Sequence, residues 1–128
     1  MEKWKVDIAN EFDDCMKMFP ELGDIILVIK ESEELSGGAG RVVSSGKEAV
    51  ILSVPLQLRV HPKALRPLIF HELSHKIDLE NPDKVFRERA DEGSRKMWQL
   101  LQKNGMVKCI VEDKDNLPIE KGEIYEKT

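Results

Sequence analysis

Trp4, Ile8, Phe12, Cys15 and Phe19 recur at steps of four, four, three and four. That is the spacing of one helix face, and Pro20 ends the run. The next apolar stretch, DIILVIKE at 24–31, is continuous and rich in β-branched residues, which predicts a buried strand. SGGAG at 36–40 predicts a loop. RVVSSGKEAVILSVP at 41–55 predicts two strands around a tight turn at Ser45, Gly46 and Lys47. From His61 the period becomes helical. Pro62 suits the first position of a helix, yet Pro67 cannot donate a hydrogen bond to residue 63. Either a separate turn covers 62–66 or the helix opens near Pro67; it runs to about Leu79, where ENPD breaks it. A further helix from Asp83 carries Phe86, Ala90, Gly93, Met97 and Leu101 on one stripe, with Trp98 beside it. Asn104 and Gly105 close that helix. MVKCIVE at 106–112 predicts a last strand, and the polar remainder a tail.

The order is an N-terminal helix, a short three-stranded sheet, two helices and a C-terminal strand, which predicts a single small α+β domain over 1–112. Residues 113–128 form a charged C-terminal segment. The chain has 128 residues, enough for one modest core. Hydrophobic residues at 41% and charged residues at 34% exclude a disordered chain. A net charge of −4 with no basic stripe argues against nucleic acid as a partner. No run reaches the length of a membrane span, and the start has no apolar signal core. Cys15 and Cys109 lack CxxC spacing and are expected as reduced thiols of a cytoplasmic protein, monomeric or a small homo-oligomer.

The chemistry lies in LIFHELSHKID, which begins at Leu68. Positions four apart on a helix stand one turn above each other, so His71 and His75 can grip one ion. Zinc suits two imidazoles and keeps a tetrahedral shell. Glu72, about 100° round the helix from His71, can take a proton from a zinc-activated water. Ile69, Leu73 and Ile77 form the apolar side, and the histidines point almost the opposite way, so that side is expected to be a cleft wall. A helix carrying two surface histidines and no metal is the alternative reading.

Two histidines leave a third protein ligand to be found. If the active-site helix ends near Leu79, His75 lies about 6 Å before its end. A following helix from Asp83 regains that depth at 87–88, which favours Glu88. Asp91 and Glu92 are the rivals; Glu92, on the same face as Glu88, could instead hydrogen-bond a ligand histidine.

These residues resemble the gluzincin-type zinc metallopeptidases, whose HExxH helix is followed by a helix donating a glutamate. AVILSVPLQLRVHPKALRPLIFHELSHKID looks like the strand, turn and active-site helix of the membrane-bound CAAX-prenyl-protease and stress-protease families. Their soluble single-domain relatives, the minigluzincins, are about this size. The likeness covers roughly 22–102, and HELSH is its diagnostic part. It implies zinc on His71 and His75, Glu72 as general base, and a peptide or protein substrate paired along an edge strand at 49–55, which starts at Ala49 and ends at Pro55. Many such relatives carry E-x-x-A-D on the glutamate helix. Matching Ala90 and Asp91 to it puts Arg87 at the ligand position, whereas matching the apolar stripe gives Glu88.

An oxyanion partner is also expected in such an enzyme. Tyr125, the one tyrosine, lies in the C-terminal segment, and His61 stands just before the active-site helix, where a turn residue is the plainer reading. Minigluzincins include latent forms whose C-terminal segments block the cleft, which implies the same use for 106–128, with an acid or Cys109 approaching the metal. The expected function is thus zinc-dependent peptide hydrolysis, latent through that segment. The alternative is a zincin scaffold that binds zinc and a partner with little or no catalysis.

Overall fold

A computed structural model describes residues 2–42, 46–109, 114–117 and 122–125, with backbone alone at 40–42, 108, 109, 114–117, 122 and 123. Helix α1 spans Lys3–Met16 and buries Ile8, Phe12 and Cys15, with Phe19 following as the chain leaves it. The expected helix face is therefore the buried one. Strand β1 spans Ile26–Glu31, β2 Ser36–Val42 and β3 Glu48–Val54. The chain is a small α+β domain.

SGGAG is strand rather than loop. It forms most of β2 and pairs antiparallel with β3, Gly37 opposite Leu52. Glycine is poor strand material unless another part of the chain comes close. Here it does. A Cβ on Gly37 would stand 3.0 Å from Leu68 Cδ1 and 3.1 Å from Glu72 Cγ and Cδ. Of the expected turn at Ser45, Gly46 and Lys47, Ser45 lies outside the described residues, while Gly46 has the positive φ of 66° that such a turn asks of glycine.

β3 pairs parallel with β1 on its other side, Val28 opposite Ile51. Successive side chains alternate between faces. Leu27, Ile29, Val50, Leu52 and Val54 join the main core beneath the helices, while Ile26, Val28 and Ala49 form a second, smaller cluster. The sheet order is β4 (Lys108–Cys109), β2, β3, β1, β6 (Gly122–Tyr125), with β5 (Lys114–Leu117) also on β2. The stretch at 49–55, expected as a substrate-binding edge, is therefore central. β1 and β2 occupy both of its hydrogen-bonding sides.

The C-terminal residues are part of the sheet rather than only a tail. β4 (Lys108–Cys109) runs parallel to β2 at Ser36 and Gly37, and β5 (Lys114–Leu117) continues along the same edge from Gly40. Residues 110–112 of the expected last strand lie outside the described residues. β6 (Gly122–Tyr125) pairs antiparallel with the far edge of β1.

A 3-10 turn at Pro62–Leu65 precedes α2 (Arg66–Ile77), so a separate turn and a helix opening by Pro67 both occur. The helix stops two residues before Leu79, which is exposed. The single helix expected from Asp83 is two: α3 (Pro82–Arg89) and α4 (Glu92–Lys103). Ala90 breaks it with an extended ψ of 146°. Asp91 then caps α4, accepting from the Ser94 N–H at 2.9 Å and the Ser94 hydroxyl at 2.8 Å. Arg66 joins three helices, donating to Glu11 and Asp14 on α1 at 2.7 Å each and to Asp91 at 3.1 Å. Lys76 ties the other end of α2 to Glu48 of β3 at 3.7 Å.

The glycine contact is testable. Gly37→Val should lower stability by about 1–3 kcal/mol through overpacking against Leu68 and Glu72, and Gly37→Ala by less. Urea denaturation measures both, and an unchanged midpoint for the valine variant would show that β2 does not press on α2.

Candidate metal centre

Helix α2 is buried on nearly every side from Pro67 to His75. Pro67 falls in its first turn, where no amide donor is required. Ser74 is hidden too, and satisfies its hydroxyl by donating to the Phe70 carbonyl at 2.7 Å. The histidine side is thus packed, not the wall of an open cleft: His71 is 8% exposed, His75 7% and Glu72 0%.

The two histidines converge. Their Nε2 atoms are 2.9 Å apart and their rings stand edge to face at 89°. Two zinc–nitrogen bonds of about 2.0–2.1 Å at a tetrahedral angle would set those atoms about 3.3 Å apart, a few tenths of an ångström away. Without metal, the same spacing is a hydrogen bond whose donor depends on the tautomers. Burial, reinforced by the charge of His75 and opposed by Asp83, pushes His71 down to about 4, so its ring is neutral and has a lone pair to give. Glu72 lies between the two histidines in sequence and packs beneath Gly37.

None of the expected third ligands joins them. Among the described residues no group of three metal-binding side chains forms. Glu88 is exposed, because α3 turns Val85 and Phe86 inward and Glu88 stands about 200° round the helix from Phe86. Asp91 is occupied as the cap of α4 and partner of Arg66. Burial works against its charge, yet the Ser94 donors and Arg66 hold its carboxyl below the usual range. Glu92 pairs with Lys96 at 3.2 Å and lines an outer hollow of about 610 Å³. The alignment of acids on one continuous helix fails because the helix breaks at Ala90.

The residues that meet His71 are aromatic. Trp98 stacks on it at 4.4 Å and 22°, and Phe86 approaches at 6.4 Å and 66°. Their helical spacing marks both as core residues, and nothing in that spacing singles them out as neighbours of a histidine.

His61 is not brought to the site. It is exposed and lines a groove of about 1110 Å³ with Glu11, Arg66 and Met97. Tyr125 is also elsewhere, donating its hydroxyl to Asp13 at 2.9 Å. Cys15 is a free thiol in the core, and burial pushes it up to about 12; the Cys109 side chain lies outside the described atoms. Among the described residues no helix is long and apolar enough to cross a membrane. No protein-family model, curated protein or solved structure matches this chain.

The state of His71 sets a pH dependence for the metal-free protein. Its folded value lies below its ordinary 6.5, so between about pH 6.5 and 4 the unfolded chain takes up a proton that the fold refuses. Stability should therefore fall as pH falls through that window, by about 3 kcal/mol in all. Urea midpoints in the presence of a chelator should show this slope, flattened in His71→Asn. An equal slope in that variant would assign the effect to another group.

Proposed function

We propose that this chain is a zinc-dependent metallopeptidase built on an HExxH helix, latent in the arrangement described. The observation that carries the reading is the convergence of the His71 and His75 Nε2 atoms on one point, with Glu72 beside them on the same buried helix. The two histidines are the protein ligands on which it rests. Zinc, when bound, supplies Lewis-acid polarisation of a water and of the scissile carbonyl. Glu72 takes the proton of the attacking water and returns it to the leaving amine. Substrate is a peptide or protein segment held in extended form.

The sheet supports the latency. The outer edge of β2, which runs over Glu72, is the edge where an extended peptide would pair. β4 and β5 pair with that edge at Ser36, Gly37, Gly40 and Val42. Truncation after Asn104 removes both strands. It should raise peptide hydrolysis at least about tenfold, which corresponds to about 1.4 kcal/mol or more of blocking. No gain from a folded truncated protein would refute the blocking role.

A second reading, a zinc-binding scaffold that does not turn over, is favoured by the lack of a third metal-binding side chain grouped with the two histidines among the described residues. Glu72→Gln separates the two. An enzyme keeps its zinc, by elemental analysis, and loses hydrolysis by a factor of about 10² or more. A scaffold keeps both its zinc and its partner binding. A protein purified without added metal that neither holds nor takes up zinc excludes both.

A further inference from the structure

His71 lacks the support that a metal-ligating histidine ordinarily has. Such a ring normally donates its second N–H to a carboxylate, carbonyl or water, which fixes its orientation. The Nδ1 of His71 is buried with no hydrogen-bond partner among the described residues. An imidazole rotates about χ2 in a broad, roughly two-fold well, so something else must hold the plane of this ring.

The surrounding aromatics supply it. Trp98, from α4, lies nearly parallel over the imidazole at 4.4 Å, and Phe86, from α3, closes on its edge at 6.4 Å. Phe86 and Trp98 also touch each other, at 5.7 Å and 44°. Both are buried, 4% and 7% exposed. A flip of His71 about χ2 would swing the ring through the indole. Asp91, by capping the first turn of α4 through Ser94, fixes the start of the helix that presents Trp98.

We propose that Trp98 is the positioning residue of the metal site, holding the His71 imidazole by its face where other sites use a hydrogen bond donated by Nδ1. This inference rests on the reading of His71 and His75 as metal ligands. It assigns Trp98 no contact with substrate or reacting atoms. Its role is to keep Nε2 of His71 turned toward Nε2 of His75.

The test uses full-length protein freed of metal, titrated with zinc by calorimetry, with circular dichroism to confirm folding. Trp98→Leu should bind zinc about tenfold or more weakly, whereas Trp98→Phe, which keeps an aromatic face, should stay within about threefold of the parent. A folded leucine variant with parental affinity overturns the positioning role and leaves the metal site standing. A parent protein that binds no zinc overturns the site, and this inference with it.

A spectroscopic measurement covers the case in which the leucine variant does not fold. Trp4→Phe leaves Trp98 as the sole tryptophan. Cobalt titrated into that protein should quench Trp98 emission saturably and in proportion to occupancy, and adding His71→Asn should abolish the effect. Cobalt binding by calorimetry with undiminished Trp98 emission would overturn the stacking on which the role depends.

Discussion

The close passage of β2 over α2 at Gly37 is the contact on which the arrangement turns. A side chain at that position would press on Leu68 and Glu72 and force them to give way by a few tenths of an ångström. Its absence lets the strand settle onto the polar side of the helix. That contact helps to exclude water from Glu72, which is 0% exposed. It also leaves the outer edge of β2 for the C-terminal strands. Pairing with β3 satisfies the backbone of β2 while it lies against the buried helix.

Burying HELSH has a cost. His71, Glu72 and His75 all leave water, and a buried polar group costs of the order of 1–3 kcal/mol unless compensated. The same helix offsets that cost through Leu68, Ile69, Phe70 and Leu73, each fully or almost fully buried and worth roughly 1.5–3 kcal/mol. Arg66 and Lys76 secure the helix at its two ends, to α1 and α4 through three carboxylates and to β3 through Glu48. A polar centre kept inside an apolar frame in this way is what a chain needs if the polar residues serve chemistry rather than stability.

Much of this fold was legible because periodicity reports burial. The four-four-three-four spacing from Trp4 marked α1, and the β-branched runs marked β1 and β3. The histidines four apart marked one side of α2. Two features were hidden for definite reasons. Glycine spacing reads as a loop in SGGAG, since a close approach by Leu68 and Glu72 is a tertiary fact. The break at Ala90 interrupts an amphipathic stripe that continues on both sides of it; the local signal is Asp91 with Ser94 three residues on, a helix start inside an apparently unbroken helix. Losing that break displaced the acids. Asp91 and Glu92 follow Glu88 toward His75 only if one helix carries all three, and Glu88 itself faces outward because α3 buries Val85 and Phe86. Of the site, the pair His71 and His75 was readable, whereas the indole and phenyl rings around His71 were not, because periodicity tells that a residue is buried and not what it is buried against.

The placement of the last strands has a consequence for the birth of the protein. β4 and β5 close one edge of the sheet and β6 closes the other, and all three follow α4 in the chain. On the ribosome, every helix among the described residues and the three inner strands therefore emerge while both edges still present unpaired amides and carbonyls. Exposed edges of this kind recruit strands from other molecules. The nascent domain is most prone to aggregation just before synthesis reaches its closing strands, and a chain halted there would call for a chaperone more than the finished one.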